Sequence, residues 1–554
     1  MINWRSKKNI IVVIVSFVIC LAIIFFLIDR KLPFINQESK KIREIQKNTL
    51  FIGRQRFIQE SLGLYGEGNN LVTNENIKKL IHETLIKYDM PKTEGQYNIT
   101  FTPALVHEIP QNPITAGELE NYFEYNLCPG IKFHNGKELT NEDIIATLTL
   151  NNNKGGGFAS FITDFRPSAE DKYKFFIKFA NNQNNLNLYA LCKLYIMNSD
   201  LIRTNQKYRH IGLGAYRLTK FDAATNLVEL ERFEDYYKAA DYRMSNIKKI
   251  VSEYIPNPKT LYMNVARGNI DIMQDNAENI QLQTARTVDK KVLQVFESDL
   301  LNIFSVFLNC ETLDLSVREK ICEIFTPEVK KDILDQLNED DNYSIVDSFS
   351  DSRLKGYLHD VHSDDSPNNS QSDATKPTQP IRVVLSNIHN SVTNKYILKM
   401  ADILKQKGFS IKIEHYDQSE TWKKIFSGDY DITGFSEFLE NPYPHHLLNL
   451  YFGKINNQNK GDKSKYFVNV EAVNNISFCE DKNIWDELEN LKYVDVNSEN
   501  YGQRIKDVHL QLARKYAFIP CFHVNRTKRI IKKNILMYNE DAFANADLRY
   551  IIKN

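Results

Sequence analysis

The sequence predicts an α/β protein of two lobes with an inserted subdomain, carried behind one transmembrane helix. Three observations point there. An uncharged apolar run, Ile10 to Ile28, fills 19 residues near the start. The remainder, more than 500 of the 554 residues, exceeds what one hydrophobic core usually supports, so it should divide. Strand-like and helix-like patterns alternate on both sides of a polar stretch at 340–380, as layered α/β domains require.

Arg5, Lys7 and Lys8 precede the apolar run, which is long enough to cross a hydrocarbon core of about 30 Å as a helix. The basic flank assigns residues 1–9 to the cytoplasm and 10–28 to the anchor. A cleaved signal peptide would have a shorter apolar region ending in small residues, whereas Phe25, Phe26, Leu27 and Ile28 run straight into Asp29, Arg30 and Lys31. Cys20 lies mid-run after Val18 and Ile19, where a lipid-attachment cysteine would need a small residue before it. Either reading exports the rest of the chain. Residues 29–60, rich in Lys, Gln and Arg, read as a membrane-proximal stalk.

The first lobe is assigned residues 61–110, 205–300 and 521–554, and the inserted subdomain residues 111–204. Within the insert, Ile131 and Phe133 alternate with Lys132 and His134, and Asn135-Gly136 suits a type I′ hairpin turn with two positive-φ positions. Leu139 resumes a strand. Thr140 then caps a helix, its hydroxyl accepting from the backbone three residues on, where Asp143 takes the acidic place of a capping box. In the strand from Leu227, Val228 and Leu230 share one face while Glu229 and Glu231 take the other.

The second lobe is assigned residues 301–520, with 340–380 as a flexible loop of Asp, Ser, Asn and Pro. After that loop come a strand (Ile381 to Leu385), a helix (Val392 to Lys407), a strand (Phe409 to Glu414), a helix (Trp422 to Phe426) and a strand (Tyr430 to Gly434). The longer helix carries Tyr396, Ile397, Met400, Ile403 and Leu404 at helical spacing.

Composition narrows the function. Lys+Arg 70 against Asp+Glu 70 gives a formal net charge of zero, which argues against a nucleic-acid binder. Arg526 to Lys533, the densest cationic stretch, reads as the solvated side of a terminal strand. One of seven cysteines lies in the apolar run and six lie outside it. Cys310 and Cys322 are the first pair to test for a disulfide, beside the reading of isolated buried thiols. His445 and His446 are adjacent, a spacing that rarely chelates one ion, and no metal or other cofactor is assigned. His359 and His362 fall in the polar loop. No P-loop, G-x-S-x-G or H-E-x-x-H occurs, so an enzyme is not expected.

Gly130 to Asp143, GIKFHNGKELTNED, resembles the "GikFHnGkeLTaeDV" signature of the family 5 extracellular solute-binding proteins. Further stretches resemble that family in the same order. They are Ile81 to Asp89, Thr102 to Val106, Gly212 to Leu218 with Ala215 in place of a proline, Phe233 to Tyr236, Gly268 to Asp271, Phe307 to Asn309, Val317-Arg318, Tyr430 to Phe435 and Ala517 to Pro520. The resemblance implies a bilobal, periplasmic-binding-protein-like fold of class II, the large peptide-binder type, its lobes joined by two segments near 298–308 and 517–525. It also implies a receptor that closes on a solute between its lobes and hands it to an ABC permease in the membrane.

In peptide-binding relatives, an aspartate three residues past a tryptophan pairs with the peptide α-amino group, and an acidic-proline pair comes after it. Here Phe435 stands for the tryptophan, Phe438 for the aspartate and Asn441-Pro442 for the acidic pair. Glu437 or Glu440 could supply the missing carboxylate, since a desolvated carboxylate facing an ammonium makes a strong charge-assisted bond. Tyr443, Phe435 and Phe438 could meet a ligand's apolar face, and Asn309 completes the set. The expectation is thus a monomeric oligopeptide receptor, single-pass in the bacterial cytoplasmic membrane, its main domain periplasmic or extracellular. The alternatives are a nickel- or haem-type receptor of the same fold and an anchored structural or interaction module that has lost transport work.

Overall fold

The computed structural model describes residues 46–55, 58, 75–153, 162–180, 184–204, 210–238, 245–337, 343–346, 353, 379–386, 392–438, 444–454, 475–494, 498–541 and 546–554, apart from 94, 98, 276, 278 and 492. The apolar run 10–28 lies outside them. Among the described residues, no helix is long and apolar enough to cross a membrane.

Among the described residues, two large mixed sheets organise the fold. The first has seven strands in the spatial order Leu293–Asp299, Arg526–Lys532, Ile272–Met273, Thr49–Arg54, Lys249–Tyr254, Leu227–Arg232 and Tyr216–Asp222. Thr49–Arg54 is central and parallel to both neighbours, with Thr49 opposite Lys249 and Ile52 opposite Ile272. This corrects the stalk assignment for residues 49–54. Leu50 and Ile52 are buried in the first sheet's core, and basic residues around a six-residue strand had masked it. Val228 and Leu230 are buried as their alternation predicts. Gly268, at φ 84°, ends the helix Pro258–Arg267, which turns the chain so that buried Asp271 accepts the Phe51 N–H at 2.9 Å. Lys553 also reaches Asp271, at 2.6 Å, tying the strand Thr49–Arg54 and the C-terminal segment to one carboxylate.

The second sheet has six strands in the order Tyr343–Ile345, Phe518–Val524, Asn302–Leu308, Ile432–Phe438, Ile381–Ser386 and Ile411–Tyr416. Alternation along Asn302–Leu308 sends Phe304, Val306 and Leu308 to one core, with Ile321, Ile333 and Met400 from three helices. Phe307 goes to the opposite core, with Tyr451, Leu488 and Ile505 from three others. Cys322 packs against the first of these cores and Cys310 against the second. The two thiols therefore face opposite sides of the sheet, and the bond considered between them does not form.

Among the described residues, the chain passes between the two sheets twice. Leu293–Asp299 pairs with Arg526–Lys532 in the first sheet, and Asn302–Leu308 pairs with Phe518–Val524 in the second. The two crossings, at Leu300–Leu301 and at Asn525, lie side by side, with the Leu300 N–H donating to the Asn525 carbonyl at 2.9 Å. Residues 521–524, assigned by sequence to the first lobe, complete the last strand of the second sheet. The cationic stretch after Asn525 is only partly solvated. Arg529 is buried and pairs with Glu540 at 2.7 Å.

The inserted block holds a three-stranded sheet, Tyr122–Asn126, Lys174–Phe179 and Ile162–Pro167 in spatial order. Its core takes in Leu85, Ile86, Leu105 and Val106 together with Phe133, Phe175 and Ile177. The block therefore begins before residue 111, because Ile86–Asp89 folds back on Thr100–Pro103 as a two-stranded ladder. The hairpin at 131–139 forms, with Lys132 opposite Glu138, but Gly136 alone has a positive φ there, 85°. The Gly136 N–H donates to Phe133 O at 2.8 Å, which makes a type I turn closed by a left-handed glycine in place of type I′. Asp143 reaches back to the Thr140 N–H at 3.0 Å as predicted, while the Thr140 hydroxyl donates to that same carboxylate at 3.2 Å and does not accept from the backbone.

His134 joins two of the sequence motifs. Its Nδ1 accepts from the Gly212 N–H at 3.3 Å, so its Nε2 carries the proton that Gly214 O receives at 2.9 Å. Burial, against the help of that Gly214 bond, lowers its pKa from 6.5 to about 4.

Candidate functional site

The strand Ile432–Phe438 carries three of the predicted ligand residues. Pairing with Asn302–Leu308 sets Phe435 opposite Ser305, Glu437 opposite Ile303 and Phe438 opposite Asn302. The strand thus ends next to the first crossing. Glu440, Asn441 and Tyr443 lie outside the described residues.

Asn309 is a correction. It is fully buried, its Nδ2 donates to Gly428 O at 3.1 Å and Tyr430 O at 2.9 Å, and its Oδ1 accepts from the Glu311 N–H at 2.9 Å. The amide is committed to the backbone of two loops, so it fastens the end of the strand and does not face a solute. His445 is likewise turned inward, its Nδ1 2.8 Å from the Tyr501 hydroxyl.

On the other side of the crossing the structure opens a cavity of about 910 Å³. Its walls come from residues 79–102, from Cys192 and Tyr195, from the strand end Ser298–Asp299 and from the C-terminal segment 536–550. No described residue of 301–520 lines it. The described members of the predicted set, Asn309 and the strand positions Phe435, Glu437 and Phe438, belong to or adjoin the second sheet, and none of them lines this cavity.

One wall of the cavity is a buried charge network. Glu83, its side chain 1% exposed, accepts from the Tyr236 hydroxyl at 2.6 Å, from Arg549 Nη1 at 3.2 Å and from Lys87 Nζ at 3.1 Å. Arg549 also clasps Asp547 through Nε at 2.7 Å and Nη2 at 2.6 Å, the forked geometry that suits guanidinium to carboxylate. Burial works against the Asp547 charge, yet the Arg549 hydrogen bonds prevail and hold this carboxyl below its usual range. Burial pulls Lys87 below the ordinary lysine value, and Glu83 only partly restores it.

A second network anchors the C-terminal wall. Buried Glu540 accepts from Arg529 Nε, the Thr527 hydroxyl and the Tyr538 hydroxyl, each at 2.7 Å. At the rim, Lys79 meets Asp541 at 3.3 Å and Lys92 meets Asp299 at 2.7 Å. Leu536, Met537 and Tyr550 also line the cavity and stand exposed. Both signs of charge together with apolar side chains make a lining able to hold a zwitterion that has apolar substituents.

Sequence reasoning missed Glu83, Lys87, Asp547 and Arg549. Glu83 and Lys87 sit inside the segment Ile81 to Asp89 already picked out as a motif, and their charges in an apolar surround were the available signal. Arg549 gave none, because its partner Glu83 is 466 residues away.

Residues 120–324 match the family model described as bacterial extracellular solute-binding proteins, family 5 Middle. No curated protein matches the chain by sequence. The oligopeptide-binding protein AppA of Bacillus subtilis, solved with a nonapeptide, is similar at a TM-score of 0.69 and 14% identity, over 91% of this chain and 99% of that one. The dipeptide-binding protein of Pseudoalteromonas sp. SM9913, solved with Met-Leu, gives 0.69 and 14%, over 91% and 100%. NikA of Staphylococcus aureus, solved with Ni(L-His)2, gives 0.67 and 14%, over 92% and 100%. At such identities these likenesses establish a shared fold, the bilobal α/β architecture of binding proteins. What the comparisons show of this chain is therefore the binding-protein fold, with residues 120–324 similar to the family 5 bacterial extracellular solute-binding proteins.

Proposed function

We propose that this protein is a membrane-anchored extracytoplasmic receptor that captures oligopeptides between its two lobes and delivers them to an ABC importer. The observation that carries this reading is the cavity beside the paired crossings. Its volume of about 910 Å³ lies near the top of the roughly 300–1,000 Å³ span of small-ligand sites. Its lining offers carboxylates for an α-ammonium, cations for an α-carboxylate and apolar rim residues for side chains. Two adjacent strand crossings form the natural hinge for closure of one lobe on the other. In this reading the Glu437–Phe438 strand end, with Glu440, Asn441 and Tyr443 beyond it, supplies the facing side of the site. The apolar run 10–28 holds the receptor at the membrane. The peptide complexes of the Bacillus and Pseudoalteromonas proteins support the ligand class, and the NikA complex makes a nickel complex the second reading.

Native mass spectrometry of the purified protein tests the proposal. Co-purifying peptides are the expected result. A bound nickel complex or haem would replace oligopeptides with the second ligand class, and a cavity that stays empty against a peptide library would favour an interaction module.

A further inference from the structure

Cys310 and Cys479 lie 169 positions apart in the numbering, and the fold packs both free thiols against one core, on loops joined by backbone hydrogen bonding. Cys310 sits two residues beyond the strand Asn302–Leu308 that leaves the first crossing, and Cys479 sits just before the helix Lys482–Leu491. Backbone bonds fix both loops. The Cys310 N–H donates to Ser477 O at 2.9 Å. Asn475, at a left-handed φ of 68°, accepts the Cys479 N–H at 2.9 Å and donates to Cys479 O at 2.7 Å. Arg318 Nη1 donates to Cys310 O at 3.3 Å, and Lys515 pairs with neighbouring Asp481 at 2.8 Å. Two cations thus stand near the sulfurs.

We propose that Cys310 and Cys479 are a disulfide site, which staples the end of the outgoing strand to the helical layer of the second lobe. The hydrogen bond from Cys310 lowers the Cys479 pKa against the effect of burial, with Lys515 and Arg318 assisting. Cys479 is therefore the nucleophile. Its thiolate attacks one sulfur of a disulfide oxidant, either a small disulfide or an oxidoreductase in its disulfide form, and expels the first thiolate. Cys310 gives up its proton and attacks the Cys479 sulfur of the mixed disulfide, which releases the second thiolate. The protein loses two electrons and two protons, and the oxidant leaves as two thiols. Formation in the cell rests on the extracytoplasmic location, where such bonds persist.

The test separates the pair from that location. The purified full chain is equilibrated in glutathione buffers of graded reduced-to-oxidised ratio, quenched in acid, unfolded, alkylated and peptide-mapped. The expected result is joint loss of two thiols, at Cys310 and Cys479, with one cross-linked peptide, while the other cysteines stay alkylatable. A Cys322→Ser chain should behave identically, and Cys310→Ser should lose the cross-link. Because Cys310→Ser could fail to fold, the wild-type chain is also melted with and without a phosphine reductant, and Tm should fall on reduction. Full alkylation of both cysteines at the most oxidising ratio, or separate glutathione adducts on each, would overturn the proposal. A cross-link formed in buffer but missing from cell-derived protein would count against export and leave the pair standing.

Discussion

Glu83 and Arg549 form an ion pair at 3.2 Å across 466 positions of sequence, so the opening motif of the first lobe and the last residues of the chain build one wall of the cavity. Each side chain is nearly or fully buried. Removing one partner leaves the other charge buried and less fully compensated. Arg549→Met leaves buried Glu83 with only Lys87 and the Tyr236 hydroxyl, takes the guanidinium from Asp547, and should lower unfolding stability by about 3 kcal/mol in urea denaturation. Glu83→Gln, which leaves Arg549 its Asp547 partner, should cost less. Equal losses for the two variants would refute this account of the network.

His134 makes folding pH-dependent in a definite sense. Its folded pKa of about 4 lies below the ordinary 6.5, so the unfolded state binds the proton more readily. Above pH 6.5 the difference costs nothing, and stability falls as pH drops from 6.5 toward 4. By pH 5 this one group should cost about 2 kcal/mol. Denaturation of the wild type and His134→Gln at pH 7 and pH 5 isolates it, because the variant should lose less stability between the two by about that amount. Parallel losses would show that His134 titrates normally.

Gly212 is needed for close approach. A Cβ there would collide with the Ile81 carbonyl oxygen and crowd the His134-linked turn. Gly212→Ala should destabilise by about 2–4 kcal/mol, read as a lower Tm. An unchanged Tm would mean that the backbone can shift to make room.

Asn309 and Glu437 separate holding from binding. Asn309→Ala removes the donor to the Gly428 carbonyl, one of the two donors to the Tyr430 carbonyl and the acceptor of the Glu311 N–H, and should cost about 2–4 kcal/mol of stability, while ligand affinity of the folded fraction stays the same. Calorimetric titration after a folding check measures both.

Glu437→Gln should do the reverse. Stability should hold, and peptide affinity should fall at least tenfold, equivalent to about 1.4 kcal/mol. Undiminished affinity would remove Glu437 from the site.

Local pattern was legible where neighbours in sequence carry the information. The strand Ile381–Ser386, the helix Val392–Gln406 and the strand Leu227–Arg232 lie where periodicity places them. Asp143 caps its helix because the bond it makes spans three residues. The turn at Asn135-Gly136 was read one residue too freely, since the same pair serves a type I turn with a left-handed glycine as well as type I′. Thr49–Arg54 was lost in a basic surround, and a six-residue strand buried between parallel neighbours has no alternation to reveal it.

The candidate site was less legible. Asn309 belongs to a motif, but a motif residue can serve the backbone as readily as a ligand, and only its three hydrogen bonds tell which. The pairing of Cys310 depended on which face of the sheet each thiol meets. Hydrophobic period, turn chemistry and the order of short motifs are local quantities, and they carried the two-lobed α/β reading and the family resemblance. The cavity wall joining Glu83 to Arg549, the backbone bond that sets the Cys310 loop against the Cys479 loop and the paired crossings at Leu300 and Asn525 each join residues far apart along the chain. Those contacts exist only once both sheets have closed their cores, because burial of the surrounding apolar faces is what brings the distant segments to one place.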